Sequence, residues 1–402
     1  APTISSTAPA TNAYVNHTKV SYTLSEAIAS GTITWTRTGG SEDTNSPHAN
    51  SLTGDELNSG AYSSITLTNN PTLVDGAIYT VSFDATDAAG NTAATVSNTS
   101  VTYDVTAPVI SSTSPATSSY VNNTKVSYTL SKAIASGTIT WTRTGGSEDT
   151  NSPHAKALSG DELNTGDHTD ITLTNNPTLS DGGVYTVSFD AVDLAGNSAT
   201  TVSATGVTYD VTKPTITPPS EGSSTEDLDY QNVTTSLIIS WAAGSDATSG
   251  IEKYEYALGT TAGGSETVTW ISVGSATTAT LTGLSLVEDT KYYATIRATD
   301  KAGNVSLHST GDGITIDLTS PSTGTVTDGL GDDIDYIARS DTLSAKWTGF
   351  SDATSGIKHY EYAIGDSVGK INIVGWTSTG TDTFAVRGDT VFYDGITYYF
   401  SA

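Results

Sequence analysis

A short run, Asp87-Ala88-Ala89-Gly90-Asn91, sets a carboxylate and an amide oxygen on either side of a tight glycine turn. A hard cation such as Ca²⁺ gathers about six to eight oxygens, best supplied by carboxylates and carbonyls that a turn brings together. Asp104 is expected at the same end of its domain, and Asp84 on the solvent face of the strand leading into the turn. The set recurs as Asp190, Asp193, Asn197 and Asp210, and again as Asp300, Asn304 and Asp317. Arg297 stands where the third copy would place the Asp84 carboxylate, so a site needing that group is lost there. Cation binding is therefore the chemistry to weigh. A second reading stands beside it: Asp-x-x-Gly-Asn also closes an Asx-type turn on its own backbone bonds and needs no ion.

Other chemistry finds less support. His48 and His154 sit in copies of an Asn-Ser-Pro-His loop, with no second His, Cys or carboxylate at ligand spacing, and read as surface. Ser, His and Asp are present without a nucleophile-elbow pattern, and any catalytic set would be duplicated, so no enzyme is expected. Lys19 and Lys125 point outward beside Ser21 and Ser127, which argues against an internal isopeptide crosslink. Asn16-His17-Thr18, Asn98-Thr99-Ser100, Asn122-Asn123-Thr124, Asn232-Val233-Thr234 and Asn304-Val305-Ser306 match the glycosylation acceptor pattern, which a Thr/Ser-rich chain also meets by chance.

Composition narrows the classes. The 43 acidic residues against 16 basic give a net charge of −27, and no Lys/Arg patch is offered to phosphates, so nucleic acid is excluded as a partner. With no cysteine, neither disulfides nor thiolate metal sites hold the chain together. No apolar run approaches the ~18 residues of a membrane span, and no signal peptide is visible. The chain opens Ala1-Pro2 and holds no Met, so it is expected to be a processed product or a piece of something longer.

The elements that must position these residues are strands. Tyr79-Thr80-Val81-Ser82-Phe83-Asp84-Ala85 alternates apolar and polar, as do Val20 to Leu24, Thr32 to Thr36 and Val101 to Asp104. A period of two turns one face of each strand to a core. Gly39-Gly40, Asn70-Pro71 and Asp75-Gly76 punctuate the runs, and only Gly54 to Leu57 could make a single helical turn.

The strands come in blocks. Residues 1–106 recur almost unchanged as 107–212, Ser21 to Ala49 matching Ser127 to Ala155. About 100 residues is the size of a complete β-sandwich. The second half repeats its own pattern: Ser240-Trp241, Ser245 to Ile251 and Tyr254 to Gly259 return at Lys346-Trp347, Ser351 to Ile357 and Tyr360 to Gly365. Four domains follow, at 1–106, 107–212, 213–319 and 320–402. Leu73, Leu179, Leu286 and Phe392 each precede by six positions a tyrosine, Tyr79, Tyr185, Tyr292 and Tyr398. That spacing is similar to the tyrosine corner of Greek-key sandwiches, whose phenol bonds to backbone just upstream. The joints Tyr103 to Pro108, Tyr209 to Pro214 and Ile316 to Pro321 are one linker written three times, stiffened by proline and without a Gly/Ser tether, which predicts touching domains in an extended rod.

The Asp-x-x-Gly-Asn turns, each followed by an Asp-x-Thr-x-Pro-type joint, resemble the tandem Ig-like repeats of large bacterial surface proteins and adhesins. The Trp, Ser-Gly-Ile, Tyr-x-Tyr-Ala and Tyr-Tyr positions of domains three and four resemble fibronectin type III-like relatives. The resemblance covers essentially the whole chain. It implies all-β tandem sandwiches, an extracellular or cell-surface place in a prokaryote, and a non-catalytic stalk or adhesin segment. The alternatives it leaves are a subunit of a filament or surface layer and the accessory modules of a secreted enzyme. Partners would be further copies of the chain, other surface proteins or glycans. It further implies Ca²⁺ at the joints, carried to Asp87, Asn91 and Asp104, to Asp193, Asn197 and Asp210, and to Asp300, Asn304 and Asp317. Tyr398 aligns with Tyr79, so the fourth domain is expected to stop within its sixth strand, either as a piece of a longer protein or with a neighbouring subunit supplying the missing strand.

Overall fold

The computed structural model describes residues 1–222, 226–338 and 341–402. It divides into two compact units, the first being Ala1–Thr212 with Ala247–Ser249 and Lys301–Asn304, the second the remainder.

Domain one holds β1 (Ile4–Ala8), β2 (Tyr14–Val15), β3 (Val20–Leu24), β4 (Ser30–Gly40), β5 (His48–Ser51), β6 (Gly60–Ile65), β7 (Ala77–Thr86) and β8 (Val96–Tyr103). They build two sheets, ordered β1-β3-β6 and β2-β8-β7-β4-β5. The chain enters in the small sheet and crosses to the large one, where β2 runs parallel to β8 with Tyr14 opposite Thr102. The period-two sequence of β7 does what it predicts, every second side chain being buried from Ala77 to Ala85. Trp35 and Tyr79, both without exposure, meet edge to face with centroids 5.9 Å apart. Such geometry suits the ring quadrupoles.

The close approach of the end of β4 to the chain entering β7 needs glycine. Gly40 sits at φ +66°, and a Cβ there would lie 2.1 Å from the Gly76 carbonyl oxygen. Gly146 meets Gly182 identically in domain two. The single helical turn does form at Gly54–Leu57, capped by Thr53 N–H donating to Glu56 Oε2 at 2.8 Å. Domain two reproduces both sheets, over Ile110 to Tyr209.

In the second unit, domain three pairs Ser220–Glu221, Ser236–Ser240 and Thr278–Thr282 in one sheet. The other sheet centres on Lys291–Asp300 and Ile251–Gly259. Domain four forms two three-stranded sheets around Leu343–Thr348 and Tyr360–Gly365. Each domain carries its own core, around Trp35, Trp141, Trp241 and Trp347.

The tyrosine spacing is a corner in all four. Tyr79, Tyr185, Tyr292 and Tyr398 accept at their phenol oxygens from the N–H groups of Val74, Ser180, Val287 and Tyr393, at 3.0, 3.0, 3.0 and 2.8 Å. The bond closes the loop just upstream and, in the first three domains, gives a partly buried N–H its partner. Tyr292→Phe should destabilise domain three by about 1–3 kcal/mol, because Val287 N–H then stays unsatisfied while packing is kept. Thermal unfolding measures this, and a melting curve that superimposes on wild type would remove the corner's energetic role.

Candidate cation sites at the domain ends

The Asp87 carboxylate is already engaged. Its Oδ1 accepts from the N–H groups of Ala89 and Asn91 at 2.8 Å each, and its Oδ2 from the Asn91 amide at 2.8 Å. The Asn91 side chain first, then its backbone N–H, hold the carboxyl below its ordinary range, since each donor favours the charged form. Asp193 repeats the arrangement with Ala195 and Asn197 at 3.0, 2.8 and 3.0 Å, but is only 1% exposed. Both motifs are Asx-type turns in geometry.

The expected grouping of Asp87, Asn91 and Asp104 at one end is wrong. β7 and β8 are antiparallel, with Ile78 opposite Thr102 and Phe83 opposite Val96. The turn after β7 therefore lies at the opening end of the domain, and Asp104, just past β8, at the closing end. By the same antiparallel pairing Asp193 is separated from Asp210, and Asp300 from Asp317. The solvent-face acids do not join the turns either: Asp84 accepts from Thr95 and Asp190 from Thr201.

What Asp104 meets is the next domain. Its Oδ1 and Oδ2 accept from Lys132 Nζ at 2.9 and 2.8 Å, and the same ammonium reaches Asp193 Oδ2 at 3.2 Å and the Thr106 carbonyl. Asn197 donates to the Asp104 carbonyl at 2.8 Å and accepts from Asn16 at 3.2 Å. The first joint thus gathers a cation-binding oxygen set around a lysine ammonium. Burial lowers the Lys132 amine and raises the Asp193 carboxyl, but the facing charges and the Asn197 donors outweigh it, so lysine is shifted up and aspartate down. This set does not fit Ca²⁺ as it stands, because Lys132 Nζ lies among the oxygens the ion would use. Glu26 holds the equivalent place in domain one, where it and Asp87 each lie 4.0 Å from the Ala1 ammonium.

The linker itself is pinned. Asp104, Asp210 and Asp317 each donate a backbone N–H, to Val15, Val121 and Gln231, all at 2.9 Å. Asp75 accepts from Val105 N–H and the Thr106 hydroxyl, Asp181 from Val211 N–H and the Thr212 hydroxyl, and Glu288 from the Thr319 hydroxyl. In the first unit Asn304 donates to the Asp210 carbonyl at 2.8 Å, as Asn197 does to Asp104. Asp300 ends its strand fully buried, and Asp317 is half-buried, accepting from Thr319 N–H at 3.1 Å.

Sequence reading missed Lys132, Asp75 and Asp181. The signal for Lys132 was its charge reversal against Glu26 within a nearly verbatim repeat. The histidines also need correction, since a carboxylate is at hand: His48 Nε2 lies 2.7 Å from Asp43 Oδ2, and His154 equally from Asp149. These aspartates further accept from the corner tyrosines Tyr79 and Tyr185 at 2.7 Å.

Repeated two-sheet sandwiches closed by tyrosine corners and joined by an acid-rich linker define a tandem immunoglobulin-like protein. Residues 1–103 and 104–211 each match the model of the Bacterial Ig-like domain, and the chain belongs to that family. Among curated proteins, Exoglucanase B of Cellulomonas fimi is 32% identical over 265 residues, 63% of this chain. The chain spans about a fifth, 21%, of that enzyme's length. Among solved structures, the FN1-FN3 domains of chicken CNTN1 align with a TM-score of 0.34 at 14% identity, over 74% of this chain and 94% of theirs. No helix among the described residues is long and apolar enough to cross a membrane.

Proposed function

We propose that the chain is a spacer segment of a larger bacterial extracellular or surface protein, and that its domains position other parts of that protein without doing chemistry themselves. The observation that carries this is the first joint, where side chains of one sandwich bond the backbone and carboxylate of the linker from its neighbour. A linker so pinned transmits orientation. Two nearly identical domains in succession suit length and stiffness better than recognition, because neither copy has diverged toward a ligand. The likeness to a stretch of Exoglucanase B favours one version of this role, as accessory modules of a secreted enzyme. A stalk of an adhesin carrying a separate binding tip, for other surface proteins or glycans, is the other version.

The absence of cysteine allows clean labelling. Spin labels at Thr36→Cys and Thr142→Cys, equivalent exposed positions in the two domains, should give one narrow distance distribution in the full chain. Asn197→Ala should broaden it. A broad wild-type distribution defeats the spacer reading, and hydrolysis of a polysaccharide panel by the chain defeats the non-catalytic one.

A further inference from the structure

Domain three holds an acidic cluster inside the sandwich. Glu221 lies on a two-residue strand paired with Ser240 and Ile239. Its side chain is fully buried and reaches the opposite sheet, where Ala294 N–H donates to Oε1 at 2.8 Å. The other oxygen, Oε2, is buried as well and takes no hydrogen bond among the described residues. An unpartnered buried carboxylate oxygen is costly unless a charge meets it.

The groups around it are further carboxylates. Asp227 and Asp312 each bring an oxygen so that the three lie within 4.8 Å of one another. Asp227 is held by Glu221 N–H at 2.9 Å, and Leu228 N–H returns to the Glu221 carbonyl at 2.7 Å. Asp312 stands between Gly311 and Gly313, in the connection from Ser309–Thr310 to Ile314–Ile316. Gly311 passes so close that a Cβ would lie 2.4 Å from both Glu221 carboxylate oxygens. The backbone is therefore shaped around the carboxylate. No ion pair among the described residues joins a lysine, arginine or histidine to any of the three. Burial foremost, and the Asp227 and Asp312 charges with it, push the Glu221 carboxyl up to about 7, against the pull of the Ala294 and Gly313 backbone N–H groups.

We propose that Glu221, Asp227 and Asp312 form a Ca²⁺ site within domain three, separate from the joints and independent of the spacer reading. Calcium–oxygen distances of about 2.3–2.6 Å put opposite ligands roughly 4.6–5.2 Å apart, so three oxygens within 4.8 Å of one another can enter one coordination sphere. The ion gives Glu221 Oε2 its missing partner and neutralises a crowded set of negative charges. Domain four repeats the first half of the arrangement: Asp328 N–H donates to Asp333 Oδ1 at 3.2 Å and Ile334 N–H to the Asp328 carbonyl at 3.3 Å. Gly329 bonds Ser344 there as Gly222 bonds Ile238, both at 2.7 Å.

Calorimetric titration of the EDTA-stripped full chain with CaCl₂ tests this. Wild type should bind one more Ca²⁺ than either Glu221→Gln or Asp312→Asn, and calcium should raise the domain-three melting temperature in wild type alone. Asp312 is exposed, so its variant keeps the fold and reports binding rather than unfolding. Equal stoichiometry and affinity in wild type and both variants, or a wild-type chain that takes up no calcium at this site, would overturn the proposal.

Discussion

Lys132→Ala should weaken the first joint by about 2–4 kcal/mol. Removing one partner of a buried ion pair costs roughly 3–5 kcal/mol, because the remaining charge stays desolvated. Lys132 is 28% exposed, and water recovers part of that cost. Asp193 recovers little, with its side chain at 1%. The variant should also gain what wild type lacks: calcium added at millimolar level should restore part of the loss, since Asp104 and Asp193 then face each other with no ammonium between them. The amine is shifted up in the folded state, so its contribution is complete below the ordinary lysine value of ~10.4 and is lost as pH rises through the higher folded value. The joint therefore holds through neutral pH. Chemical denaturation with and without calcium checks the claim. A loss under about 0.5 kcal/mol, or the same calcium response in wild type and variant, would refute the lysine's role at the joint.

Much of this was legible in the chain. A repeat written twice, period-two strands and a tyrosine at fixed spacing from an apolar residue report local rules, and local rules survive folding. Tyr79 and its three counterparts found their upstream N–H groups because strand and corner are neighbours in sequence. The site was harder for the same reason. Asp87 and Asp104 are close in sequence but lie at opposite ends of an antiparallel pair, so proximity along the chain misled. The partners that matter for Asp104 arrive from Lys132 and Asn197, in the next domain. Glu221 ends a short strand, Asp227 lies in the connection after it and Asp312 in a much later one, and no spacing rule joins Asp312 to the other two. A histidine loop that looked unpartnered held its carboxylate five positions upstream, at Asp43 and Asp149, which only the fold of the loop reveals.

That loop is the second place where one side chain should matter greatly. Asp149, with 3% of its side chain exposed, accepts from the Tyr185 hydroxyl at 2.7 Å and Asn151 N–H at 3.1 Å, and faces His154 at 2.7 Å. It ties the corner tyrosine to the loop between Ile134–Gly146 and His154–Ala157. Asp149→Ala strands the Tyr185 hydroxyl and leaves a small void, and should destabilise domain two by about 2–4 kcal/mol. Asp149→Asn keeps the shape and should cost less. Burial works against the charged carboxylate, but the His154 and Tyr185 bonds outweigh it and hold the group below its usual range. A depressed folded value gives a contribution that is complete above the ordinary ~3.9 of an aspartate and is lost as pH falls through the folded value. The gap between wild type and Asp149→Asn should therefore be widest near neutrality and close on acidification below about pH 4. Domain one carries the same network at Asp43, so the double variant Asp43→Asn, Asp149→Asn should flatten the acid limb in both domains. Urea denaturation at a series of pH values from 3 to 7 reads this directly. A gap that stays constant across the series would mean that shape, and not the carboxylate's charge, is what these loops use.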